Sequence, residues 1–268
     1  CGVYGHKPTY GLLPARGHQP AESDGASDVE LAVIGPLART VGDLQLALQV
    51  LAGPDVPQAV AYRLELPAPR TRKLAGARLL LLTEHPSAST APELQQALHG
   101  LAEALEAAGA VVAYETRLLP DLWTAHRNYV KLLLAITTRA HAPSARSLSA
   151  SGYLDLLDER VRVQRRWAEL FSAFDGVIAP AFGTFAFEHV EVDDWSLRTL
   201  RIGDRETPYG AQLAWPGVAT FPGLPATAFP IGKTASGLPL GAQLIGPYLE
   251  DLTPLALVTA IAQLPARR

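Results

Sequence analysis

Between Ala77 and Pro180, apolar runs of strand length alternate with amphipathic stretches of helical period, which restricts the fold more than any other feature. Ala77 to Leu82 is apolar apart from Arg78 and suits a strand covered on both faces. Thr90 and Glu93 then stand at capping-box spacing, with Pro92 tolerated in the first turn. Leu94, Leu98, Leu101, Leu105 and Ala108 recur every three or four residues, so one helix face packs inward until Gly109 ends it. Ala110 to Tyr114 is expected to lie beside the first strand. Helices are predicted over about 120–140 and 152–174. Leu154, Leu157, Val161, Leu170 and Phe174 form the inward face of the second, and Arg160, Arg162, Arg165 and Arg166 a solvated one. Asp175 to Pro180 reads as a further strand.

The flanking sequence supplies other kinds of element. Residues 1–30, rich in Gly, Pro, Ser and Asp, read as a long structured loop, and Leu31 to Ile34 as a short buried strand ended by Gly35-Pro36. Thr40 is placed to cap a helix whose stripe is Val41, Leu44, Leu48 and Leu51 and which Gly53-Pro54 stops. Pro54, Pro57, Pro67 and Pro69 mark residues 54–72 as a surface connector. Farther on, Arg198 to Thr207 reads as a hairpin turning at Gly203-Asp204. Ala226 to Ile231 and Leu240 to Ile245 read as two strands, and residues 252–264 as a closing amphipathic helix. The expected class is α/β, a mixed β-sheet flanked by helices.

Composition narrows the function. The 268 residues carry 23 basic and 26 acidic side chains, a net charge of −3, which gives no electrostatic footprint for nucleic acid or an anionic membrane. A single cysteine excludes an internal disulfide. No uncharged apolar run reaches the roughly 18 residues of a membrane span. Seven dispersed histidines, none with an i, i+4 partner or a nearby Cys, do not make a metal site. Gly232-Lys233-Thr234 resembles the end of a phosphate loop, but Thr227 stands where its first glycine belongs, so it reads as a turn. Neither Gly-x-Ser-x-Gly nor Ser-x-x-Lys occurs. Cys1 could act as an N-terminal nucleophile with its own α-amino group as base. The Gly-rich run after it lacks the immediate strand such enzymes need, and the simpler reading is a small apolar residue in a packed loop.

Four stretches, in order, carry a family resemblance. They are Cys1-Gly2-x-x-Gly5-x-Lys7-Pro8-Thr9-x-Gly11; Gly35-Pro36-Leu37-Ala38-Arg39-Thr40-Val41-x-Asp43-Leu44 with Leu51-Ala52-Gly53-Pro54-Asp55; and Phe174-Asp175-Gly176-Val177-Ile178-Ala179-Pro180. The last is Gly223-Leu224-Pro225-Ala226-Thr227, followed by Gly237-Leu238-Pro239-Leu240-Gly241-Ala242-Gln243-Leu244-Ile245-Gly246-Pro247 and Asp251. Together they resemble the amidase-signature enzymes and span nearly the whole chain. Most of these residues read as scaffold, glycines and prolines fixing turns, with Arg39 able to offer a planar donor fork beside a helix start.

The resemblance implies the C-terminal portion of one amidase-signature domain, N-terminally incomplete, covering residues 1–268. It implies a serine nucleophile, a second serine on a cis peptide as proton relay, a lysine base and a Gly-Gly-Ser oxyanion loop, acting on a carboxamide to give acid and ammonia or amine. All of these lie ahead of the Cys-Gly-x-x-Gly-x-Lys-Pro-Thr segment in the family, so no catalytic residue is assigned. Lys7 is not the family base, and the chain alone is expected to be inactive. Glu30-Leu31-Ala32 departs from the Ser-Leu-Asp of many relatives, which favours a free-standing amidase over a component of an amidotransferase; a noncatalytic scaffold is the remaining alternative. The region Phe182 to Trp215 corresponds to the family's substrate wall, making Phe182, Tyr209 and Trp215 the candidate substrate-binding residues. No cofactor or metal is expected. The expected partners are a small-molecule amide and a second copy in a homodimer, and the expected compartment is cytoplasmic.

Overall fold

The computed structural model describes residues 1–18, 29–137 and 148–265. Its frame is a seven-stranded mixed sheet. In chain order the strands are β1 (Tyr4–Lys7), β2 (Leu37–Ala38), β3 (Arg78–Leu81), β4 (Val111–Ala113), β5 (Gly176–Pro180), β8 (Ala226–Lys233) and β9 (Pro239–Ile245), and across the sheet they run β2-β1-β8-β9-β5-β3-β4. Strands β6 (Thr199–Ile202) and β7 (Arg205–Pro208) form the predicted hairpin apart from it, and Gly203 supplies a positive φ at its tip. The pairs β3–β4 and β3–β5 are parallel and the other ladders antiparallel.

Side chains alternate across this sheet and divide the core in two. Leu79, Leu81, Ile178, Phe229 and Leu244 meet helices α1 (Val41–Leu51), α2 (Pro92–Ala107) and α6 (Leu252–Ile261) on one face. On the other, Leu80, Leu82, Val177, Ala179 and Ile245 meet α3 (Leu122–Thr137), α4 (Ala150–Ala173) and α5 (Ala214–Thr220). Chain order reverses at β3. The segment after β3 leads through α2 to β4, and the segment after β4 leads through α3 and α4 back to β5 on β3's other side. Such a switch point opens a crevice at the carboxyl ends of the two strands.

Several expectations are corrected. The Gly-rich opening is strand β1 rather than loop: Gly5 lets Leu37 close over it, a Cβ there meeting Leu37 Cδ2 at 2.9 Å. Leu31 to Ile34 forms no strand, because Leu31 takes φ 66° in a turn and pairing shifts to Leu37–Ala38. Thr90 and Glu93 build no capping box. The Ala91 N–H is held by the Gly183 carbonyl at 2.7 Å, α2 starts one residue later at Pro92, and Ala91 becomes the N-cap. On α4 the buried stripe is Leu156, Val163, Trp167, Leu170 and Phe171, while Leu154 and Val161 are exposed. That rotation carries two aromatic rings inward, a larger apolar area than the aliphatic stripe offers. Arg160 leaves the solvated set, pairing with Glu30, donating to the Phe221 carbonyl and stacking on Tyr10. Helix α6 is buried almost all round, and Leu51 of α1 is exposed.

Other elements stand as the pattern implies. Thr40 accepts from the Asp43 N–H at the start of α1, and Gly109 turns at φ 87° after α2. Within the connector, the Arg70 guanidinium grips Glu250 through two bonds of 2.6 Å and also reaches the Phe171 and Phe174 carbonyls. Among the described residues no helix is long and apolar enough to cross a membrane.

Candidate functional site

Strand β1, the residues before β2 and helix α5 enclose a cleft of about 360 Å³. Its walls are mostly small and apolar, among them Gly5, Gly35, Ala219 and Ala228, with Lys7, Thr220 and Gln243 as polar contributors. No Ser or Cys is among its lining residues. Gln243 is 5% exposed and spends both amide hydrogens inside, on the Pro180 carbonyl at 2.9 Å and the Trp215 carbonyl at 3.0 Å. It thereby ties the end of β5 to the start of α5 across β9.

Beneath this cleft the first and last motifs meet. Asp251, fully buried, accepts from the Thr9 N–H at 2.8 Å, the Thr9 hydroxyl at 2.6 Å and His6 Nε2 at 3.2 Å. With Nε2 donating, His6 Nδ1 accepts from the Thr227 hydroxyl at 2.9 Å. The Thr9 hydroxyl in turn accepts from the Leu249 N–H at 3.1 Å. Loss of hydration lowers the His6 pKa, against the raising pull of Asp251. Burial alone would raise the Asp251 carboxyl, but the His6 and Thr9 bonds together bring it below its ordinary value. The pair is therefore a neutral imidazole beside a carboxylate. Although the order Thr–His–Asp mimics a nucleophile, its base and an orienting acid, all three side chains are sealed from solvent and the row works as a clasp.

Lys7 lies beside the clasp and donates to the Leu224 and Pro8 carbonyls. Desolvation is the main cause that pushes its pKa from 10.5 down to about 7. The cleft thus presents an amine that loses its charge near neutrality, next to an apolar wall.

The predicted site residues separate into two groups. Phe182 and Tyr209, both partly buried on the α2 face, lie 6.4 Å apart between ring centroids, and the exposed Phe187 ring joins both at 6.0 and 6.1 Å. Trp215 is fully buried in the opposite core, edge-on to His85 at 5.5 Å. Cys1 is exposed, which corrects the packed-loop reading, and β1 begins three residues after it. Arg39 is exposed and among the described residues takes no hydrogen-bond partner. Among the described residues no three His, Cys, Asp or Glu side chains gather as a metal set; His141 lies outside those residues. Sequence reasoning missed His6, whose signal was its place in a row of small and polar motif residues, and treated Thr9 and Asp251 as scaffold without linking them.

The family profile described as "Amidase" matches residues 1–140 and 123–255. The chain is 30% identical to a glutamyl-tRNA(Gln) amidotransferase subunit of Thermosynechococcus vestitus, over 94% of its own length and 58% of that protein. It is 28% identical to the protein of the same name from Deinococcus radiodurans, over 97% and 60%. The chain thus spans about three-fifths of these relatives. Among solved structures, a bacterial aryl acylamidase belonging to the amidase signature enzymes superposes with a TM-score of 0.72 at 20% identity, covering 98% of this chain and 58% of the other. The corresponding glutamyl-tRNA(Gln) amidotransferase protein of Thermotoga maritima does so with 0.72 at 21%, covering 97% and 57%. At such identities the structures establish the shared fold.

Proposed function

Because this chain belongs to the amidase-signature family, we propose that it is the C-terminal portion of an amide-cleaving enzyme that converts a carboxamide to acid and ammonia or amine. The observation that carries the reading is the cleft beside β1. It is framed by Gly5, Lys7, Gly35 and Gln243 of three of the four family motifs, yet its lining offers no serine or cysteine nucleophile. A polypeptide segment bearing the family's serine pair and lysine base fits there, the small walls leaving room for a loop and Lys7 presenting little charge to it. In this reading Phe182 and Tyr209 form an apolar wall for the acyl or aryl part of the substrate. Trp215, fully buried in the opposite core, stands apart from that wall.

The test is ammonia release from benzamide, propanamide and glutamine by the purified 268-residue chain. No turnover is expected until a segment carrying the missing groups is supplied. Turnover by the chain alone, lost on Cys1→Ala, would replace this reading with the terminal-nucleophile one. The relatives named as amidotransferase subunits favour a second reading, in which the released ammonia is passed to a partner protein. Glutamine as the one accepted amide, after reconstitution, would support it over a free-standing amidase.

A further inference from the structure

Lys7 is the only Lys or Arg lining the cleft of about 360 Å³ beside β1, and no Asp or Glu lines it. Its Nζ donates to the Pro8 carbonyl at 3.0 Å and to the Leu224 carbonyl. Among the described residues it enters no ion pair. Asp251, whose field reaches it, spends both carboxylate oxygens on His6 and Thr9. Arg160 adds a repelling charge, and the His6 imidazole is neutral. An ammonium withdrawn from water without a counter-ion carries a large desolvation penalty, so this environment favours the neutral amine. The two carbonyls match the two hydrogens of that amine and leave its lone pair without a donor. Lys7 is half-buried rather than sealed, and the cleft is the space it borders.

We propose that Lys7 is a covalent capture site for small uncharged aldehydes, which it holds in the cleft as an imine. A lysine stripped of water in an apolar pocket is a nucleophile toward carbonyl compounds. The Nζ lone pair forms a bond to the aldehyde carbon, and the carbonyl oxygen departs as water with both amine hydrogens. The product is a neutral C=N linkage, which suits surroundings that disfavour charge on this nitrogen. Class follows from the walls. Gly5, Val33, Gly35, Leu37, Ala226 and Ala228 leave a short apolar substituent room, while an aldehyde bearing a carboxylate or phosphate finds no cation once the amine is neutral. Desolvation, aided by Arg160 and opposed by Asp251, brings the Lys7 pKa to about 7, so that roughly half of the amine is free at neutral pH, against about one part in a thousand or less for an ordinary lysine.

The test reads adduct formation without amide turnover, so its failure is distinct from any failure of the amide-cleaving reading. The purified chain is equilibrated at neutral pH with isobutyraldehyde or with glyoxylate, fixed with sodium borohydride and mapped by peptide mass spectrometry. Fragment-ion sequencing separates Lys7 from the Cys1 aminothiol, which also captures aldehydes. The remaining lysines, Lys73, Lys131 and Lys233, are exposed and serve as internal references. Isobutyraldehyde is expected on Lys7 at about tenfold or more the occupancy of each reference lysine, and glyoxylate without that preference. Unfolding in guanidinium chloride should bring Lys7 down to the level of the other three, which ties the preference to the folded cleft. Isobutyraldehyde occupancy at Lys7 no higher than at the references, a preference that survives unfolding, or an equal preference with glyoxylate would each overturn the proposal.

Discussion

At the scale of single residues the structure concentrates consequence in the Asp251 clasp. Asp251→Ala removes the acceptor of three hydrogen bonds and leaves the Thr9 N–H, the Thr9 hydroxyl hydrogen and His6 Nε2 without an acceptor in a sealed site, a loss expected at about 3 kcal/mol. Thr227→Val removes one donor and should cost about 1 kcal/mol. Urea midpoints with an unchanged slope would check both. Lys7 gives a pH signature. Unfolded, it holds its proton up to 10.5, and folded only up to about 7. Between those values the unfolded state binds more protons, so the Lys7 contribution to stability rises with pH; below the window both states are protonated and it is flat. The stability difference between the native chain and Lys7→Met should therefore climb from about pH 7 to about pH 9.5. Parallel curves for the two proteins would contradict the lowered pKa.

Elements show why the glycines of the motifs are where they are. A Cβ on Gly35 would fall on the His6 carbonyl oxygen, so Gly35→Ala must push β1 and β2 apart, with loss of soluble folded protein or more than about 2 kcal/mol of stability. Gly11, at φ 79° with open space around its Cβ position, asks only for a left-handed backbone, and Gly11→Ala should cost about 1 kcal/mol. Thermal melts of the pair would separate steric blockage from backbone strain. The existence of most elements was legible in the sequence because their signals are local. Thr40 capping, the turns at Gly109 and Gly203, and the strand runs of β3 and β5 need no distant partner. What was illegible depended on tertiary choice. Strand β1 shows no apolar period because its four residues are Tyr4-Gly5-His6-Lys7 and the side chain it buries is the histidine held by Asp251. Helix α4 carries two apolar stripes, and only the surrounding core decides which turns inward. The packing of His85 against His126 and Trp215 was invisible because residues 85, 126 and 215 lie far apart in sequence.

For the whole molecule, the sheet ends at β2, a two-residue edge whose Leu37 is 79% exposed. Exposed edge strands and apolar side chains promote pairing with other chains. Leu37→Lys should therefore reduce concentration-dependent self-association in light scattering, and an unaltered profile would show that this edge is not the adhesive surface. The layers themselves, helices on both faces of a mixed sheet, followed from the alternation of elements. The order of the strands did not, since β1 finds its partner β8 only after more than two hundred intervening residues. That separation has a kinetic side. His6 and Thr227 stand 221 residues apart, so the clasp closes a loop that takes in most of these residues. At roughly 5–20 residues per second on a ribosome, β1 waits on the order of 10–40 s for its partner to be made. During synthesis β3, α2, β4 and β5 can assemble first. The segment around β1 is thus captured late although it is made early, and until then the two-residue β2 is its one partner in the sheet.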